Sequence, residues 1–202
     1  MFENPECSDC ELHDKCNNRC LPSQGDQDCK LAIFLDYPSL IDDRRGRPWS
    51  DDRAQFVDWS LQRMGIDPCR VYRDYIVKCY PGKKGMPSKK EPRMACVREC
   101  AQYRFASLQE LAHLKALVVL GSLGCEAMLL HKTVSDKEGA EWEPVSPLMR
   151  QHVAHVWVGY SPGVLGEQPA EAPGIFRVIW CAAKEAGLEP EITQIKPFDF
   201  KI

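Results

Sequence analysis

The 202-residue sequence has no apolar run near the roughly 20 residues needed to cross a bilayer, so a membrane-spanning protein is not expected. Its start, Met-Phe-Glu-Asn-Pro-Glu-Cys, lacks the basic and apolar regions of a secretory signal. A disulfide framework built for export is therefore not expected, and a cytoplasmic setting is. Positive charge is not in excess either. The formal net charge of −3 gives nucleic acid no global attraction, so any such affinity must come from a local basic patch. There are no internal repeats and no low-complexity tracts. With 44% apolar residues, the chain can bury the core of a single domain over residues 1–202.

What the sequence has in plenty is cysteine, eleven in all, and without an export signal that number favours metal ligation over disulfides. Five of them (Cys7, Cys10, Cys16, Cys20 and Cys29) lie in a polar segment, residues 1–30, which has few core-forming residues and needs a ligand or a partner to order it. Two arrangements compete. In one, Cys7, Cys10, Cys79 and Cys96 close a centre that ties the N-terminal segment to the middle of the chain. In the other, Cys7, Cys10, Cys16 and Cys20 form a local zinc site. The five residues between its two cysteine pairs are a short loop for structural zinc. Thiolates suit zinc and iron–sulfur clusters alike.

Short apolar runs at Leu31 to Asp36, Val71 to Val77, Leu117 to Leu120 and Val153 to Val158 read as buried strands. Helices are expected over Arg53 to Met64 (capped from Ser50-Asp51-Asp52), Glu91 to Lys115 with a break near Ala106-Ser107, Ser122 to Leu130, and Gly174 to Ala186. Asp42 to Trp49 reads as a charged loop, Thr133 to Pro147 as a polar excursion, and residues 188–202 as a tail without a strong period. Strands alternating with helices predict a three-layer α/β/α fold around a mostly parallel, four-stranded sheet. Ligands bind such sheets beyond the carboxyl ends of the strands. The turns after Asp36, at Lys78-Cys79, at Gly121-Ser122 and over Tyr160 to Gly163 should then face one cleft. The loop from Pro81 to Pro92 carries Lys83, Lys84, Lys89 and Lys90, which read either as a solvated loop or as a phosphate-contacting edge.

The order of these motifs resembles the iron–sulfur uracil-DNA glycosylases, the family 4 and 5 type, within the uracil-DNA glycosylase superfamily. Cys7-Ser-Asp-Cys10-Glu-Leu is similar to that family's opening Cys-x-x-Cys-x-Leu. Ile33 to Ser39 falls where the family has a strand ending in Gly-Glu-Ala-Pro-Gly, and Gly46-Arg47-Pro48-Trp49 where it has Gly-x-Pro-Phe. Val77-Lys78-Cys79-Tyr80-Pro81 resembles Lys-Cys-x-Pro-Pro, and Ser161-Pro162-Gly163 sits at the His-Pro-Ser loop.

The resemblance implies a [4Fe-4S] cluster on Cys7, Cys10, Cys79 and Cys96, with zinc as the alternative and Cys100, one helical turn past Cys96, as a substitute ligand. It also implies a protein that binds DNA, flips a base and hydrolyses its N-glycosidic bond. Asp36 takes the place of the motif glutamate, Trp49 that of the stacking aromatic, and Tyr37 a slot that is small in the family. Two departures bear on the substrate. Tyr75 stands for the uracil-reading asparagine and lacks an amide's paired donor and acceptor. Ser161 stands for the catalytic histidine and brings no imidazolium charge. Each residue also has a plain reading: Asp36 as a turn former, Trp49 as core, and His152 and His155 as structural histidines. Ordinary uracil excision is thus not expected. The expected activity is on another base, and the alternatives are a catalytically silent accessory to replication or repair proteins or a metal-stabilised protein-interaction module.

Overall fold

The computed structural model describes residues 6–129, 141–142, 153 and 155–191. Four strands, β1 (Leu31–Leu35), β2 (Tyr72–Tyr75), β3 (Ala116–Leu120) and β5 (His155–Gly159), pair in parallel. A two-residue strand, β4 (Glu141–Trp142), joins the β5 edge antiparallel. The order across the sheet is β2-β1-β3-β5-β4. The expected four-stranded parallel core is therefore present, extended by one short edge strand.

Side chains alternate across the pleat. Ala32, Phe34, Tyr72, Leu117, Val119, Val156 and Val158 face one core. That core is covered by helices α3 (Lys90–Glu110) and α4 (Ser122–Leu129) and by the cysteine-rich segment. Leu31, Ile33, Leu35, Tyr75, Val118 and Leu120 face the other, beneath α2 (Asp52–Arg63) and α5 (Ala172–Glu185). With both faces covered, the strands read as continuous apolar runs, and the layers are α/β/α. Among the described residues no helix is long and apolar enough to cross a membrane.

Two sequence expectations are corrected. The charged stretch after Ser39 is not all loop. Leu40–Arg45 form a short helix, α1. A capping box starts it: the Ser39 side chain accepts from Asp42 N–H, and the Asp42 side chain accepts from Ser39 N–H. Gly46, with φ of +60°, ends it in the left-handed conformation. The break expected near Ala106-Ser107 is absent, and α3 runs unbroken to Glu110. His152, most of the 133–147 excursion and the tail beyond 191 lie outside the described residues.

The N-terminal segment is held by α1. Asp43, fully buried, accepts hydrogen bonds from Asn17 N–H (2.8 Å), Asn17 Nδ2 (2.6 Å) and Asn18 N–H (2.9 Å), and Asn18 Nδ2 donates to the Asp43 carbonyl.

Candidate active site and thiol centre

The chain leaves β1 for β2 on one side and returns past it to β3 on the other. The crevice between the carboxyl ends of β1 and β3 is therefore the topological switch point, where ligands of open parallel sheets bind. Asp36 lies there. Its Oδ1 accepts from Gly124 N–H at 2.9 Å, and the backbone N–H groups of Leu123 and Ser122 also bond to its carboxylate, so it caps the first turn of α4 from a neighbouring strand. Burial nevertheless pushes its pKa up to about 6, against the lowering effect of these donors and of Arg53. Gly121 lets the two strands meet here. Its φ is +133°, and a Cβ would stand 2.3 Å from the Asp36 carboxyl.

Half-buried Tyr37 follows Asp36, with the Arg53 guanidinium 6.0 Å from its ring centre. Arg53 Nε donates to Asp51 Oδ2 at 2.5 Å, and its Nη2 lies 3.8 Å from Asp42. A Cβ on Gly163, in the loop after β5, would stand 3.4 Å from Arg53 Cδ, so that loop abuts the same residue. Ser161, half-buried, accepts from Gly163 N–H at 3.3 Å and so caps its own turn. The crevice thus gathers Asp36, Tyr37, Arg53 and the Ser161 loop. Arg53 carries no signal in the sequence beyond its place in the first turn of α2.

Trp49 and Tyr75 lie on the α2/α5 side of the sheet, both buried. Their rings stack with centroids 5.9 Å apart, and the Arg73 guanidinium lies 5.7 Å from the Trp49 ring centre. The Tyr75 hydroxyl accepts from Trp49 N–H at 2.8 Å and donates to Asp42 Oδ2 at 3.1 Å. Trp49 holds a left-handed φ of 56°, unusual for a bulky residue and fixed by that N–H bond. Asp42 is the hub of this corner. Its two oxygens also take the N–H and hydroxyl of Ser39 and of Ser50, at 2.8 to 2.9 Å. The Ser39-x-x-Asp42 spacing was the sequence signal for it.

Lys83, Lys84, Lys89 and Lys90 are all exposed on the loop between β2 and α3. Arg93 steadies that loop by donating to the carbonyls of Pro87 (3.3 Å) and Ser88 (3.1 Å) while pairing with Glu126 at 3.0 Å. Lys78 is no part of this basic surface. It is fully buried, its Nζ 2.7 Å from Asp74 Oδ1.

The thiols gather on the opposite side of the sheet from Trp49, around the start of the segment and the middle of α3. All eleven cysteines are free. Cys10 hydrogen-bonds Cys96, which pulls the Cys10 thiol down to about 6 and raises Cys96. Cys16 hydrogen-bonds Cys79, which lowers Cys16 and raises Cys79. Cys7 and Cys10 lie near enough to Cys79 to interact with it electrostatically, and Cys100 likewise with Cys96. Cys20 N–H donates to Cys79 Sγ at 3.3 Å. Among the described residues, no group of three or more His, Cys, Asp or Glu side chains is arranged to hold a metal ion. Elsewhere the thiols are plain: Cys29 and Cys125 are buried, Cys181 is half-buried and Cys69 is exposed.

A doubly covered parallel sheet, with a carboxyl at its switch point and a lysine loop beside it, defines an α/β protein of the nucleic-acid-processing kind. Residues 22–184 match the family model of the uracil DNA glycosylase superfamily, and the chain belongs to that superfamily. The match takes in Asp36, Trp49, Tyr75, Cys79, Cys96 and Ser161, and starts after Cys7, Cys10 and Cys16.

Proposed function

We propose that this protein binds DNA and hydrolyses the N-glycosidic bond of a flipped base other than uracil. The observation that carries the reading is Asp36, a carboxyl at the switch-point crevice with Arg53 and Tyr37 beside it. With a pKa of about 6 it is mostly ionised at neutral pH. An anion there can face the cationic sugar that forms as the bond breaks, or orient the attacking water. Tyr37 and Ser161 border the same crevice, and Ser161 has a hydroxyl to offer a leaving base. Tyr75 speaks against uracil, because its hydroxyl is already committed to Trp49 and Asp42. The exposed lysines Lys83, Lys84, Lys89 and Lys90 supply the local positive charge for the DNA backbone.

A cluster belongs to the same reading. The donors present are soft thiols without disulfides, the set that iron–sulfur clusters take, and a four-iron cluster spreads its ligands wider than a single ion does. Bound there, a [4Fe-4S] cluster would serve structurally, fastening the N-terminal segment to α3 and the lysine loop. Zinc on the same thiols is the alternative.

One observation favours a second reading, a catalytically silent DNA-binding accessory of repair or replication. The Trp49 and Tyr75 rings, at the positions where the family stacks and reads its base, are buried and engaged with each other. A base-release assay separates the two readings. Oligonucleotides carrying uracil, hypoxanthine or modified bases are incubated with wild type and with Asp36→Asn. Release by wild type that falls at least a hundredfold in the variant supports the enzyme. Salt-dependent DNA binding with no release of any base supports the accessory.

A further inference from the structure

Spacing alone assigns the thiol centre to Cys7, Cys10, Cys79 and Cys96, but the contacts around it single out a different fourth member. Cys10 meets Cys96 and Cys16 meets Cys79 in two hydrogen-bonded pairs, and the pairs are neighbours, since Cys10 also acts on Cys79. Cys16 is set in place by the residues that follow it, because Asn17 and Asn18 are fastened to Asp43. Arg19 lies close enough to offset the nearby Asp43 charge at the Cys16 sulfur.

Cys7 is engaged elsewhere. Its thiol donates to Asp9 Oδ2 at 3.6 Å, and the Tyr103 hydroxyl lies 3.6 Å from its sulfur. Tyr103 and Gln102 in turn donate to Asp9 at 2.9 and 3.0 Å, which holds the carboxylate against Cys7. A thiolate at Cys7 would face that carboxylate at close range, and an iron–sulfur core ligated by four thiolates is itself anionic. Like charges gathered there oppose ligation.

We infer that Cys10, Cys16, Cys79 and Cys96 are the four thiolates of the centre and that Cys7 lies outside it. The inference rests on the proposed cluster and names its ligands. It makes the N-terminal contribution a Cys-x5-Cys pair in place of Cys-x-x-Cys.

The test uses anaerobically purified full-length wild type, Cys7→Ser and Cys16→Ser, with iron and sulfide analysis and visible absorbance on each. Wild type and Cys7→Ser should both be brown with about four irons per chain, and Cys16→Ser should retain less than half of that. Bleaching of Cys7→Ser, whether or not Cys16→Ser keeps its iron, overturns the assignment. Full iron in Cys16→Ser overturns it as well. Wild type without iron overturns the cluster reading itself, and the ligand assignment with it, before any variant is compared. Should Cys16→Ser fail to fold, alkylation mapping of wild type in rising urea replaces it. Cys7 should then react before the colour is lost and Cys16 only together with it; the reverse order overturns the inference.

Discussion

The Tyr75 hydroxyl bridges Trp49 N–H and Asp42 Oδ2, at 2.8 and 3.1 Å, and so joins the end of β2 to the loop that follows α1. Removing the hydroxyl leaves a buried N–H without an acceptor and takes one donor from a fully buried carboxylate. Tyr75→Phe should therefore lose about 1–3 kcal/mol in urea unfolding although the ring stays in place. An unchanged midpoint would mean that the hydroxyl is not what holds Trp49 in its left-handed conformation.

The buried pair Lys78–Asp74 makes a second stability prediction. Both side chains are out of water at 2.7 Å, and Asp74 Oδ1 also accepts from Tyr75 N–H. Lys78→Met strands the carboxylate and should lose about 3–5 kcal/mol. Adding Asp74→Leu to it should recover part of the loss, because an uncompensated charge is worse than none. Chemical denaturation of the two singles and the double reads this directly. A double that is the sum of its singles contradicts it.

Asp36 sets a pH dependence. Its folded-state pKa is raised from 3.8 to about 6, so between those values the folded chain holds a proton that the unfolded chain has released. Stability from this group is then highest below pH 4 and declines as pH rises through 6, by about 3 kcal/mol in all. Measured as the difference between wild type and Asp36→Asn, the wild type should lose ground from pH 4 to pH 7 and then level off. A difference that is flat across that window refutes the assignment. Gly121→Ala drives a Cβ into the same carboxyl and should unfold the crevice or fail to accumulate, as circular dichroism would report.

The lysine loop is tested by salt. Replacing Lys83 and Lys84, or Lys89 and Lys90, by glutamine should weaken binding to any duplex sequence. It should also flatten the plot of log affinity against log salt by about 0.9 for each phosphate contact removed. Fluorescence anisotropy at several salt concentrations measures both. An unchanged slope would leave these lysines as solvated surface.

The strands were legible because burial on both faces leaves unbroken apolar runs such as Leu31-Ala32-Ile33-Phe34-Leu35, and their order with helices fixed the layers. Helix α1 was hidden by its composition. Six residues with four charges resemble a loop, and only the Ser39-Asp42 capping box betrays the turn. Spacing brought Cys79 and Cys96 to one place but could not choose between Cys7 and Cys16. That choice depends on where Asn17 is fastened and on what Asp9 touches, both of them long-range contacts. Arg53 was illegible for the same reason, since its partners Tyr37, Asp42 and Gly163 come from three separate segments.

The hydrogen bonds that Asp43 makes to Asn17 and Asn18 involve no sulfur. The cysteine-rich segment is thus moored by amide chemistry, independently of its thiols. Such a chain can fold first and be loaded afterwards, and a chain stripped by a chelator stays ready for refilling. Asp43→Ala would reverse that order of maturation and make the mooring wait on the cargo.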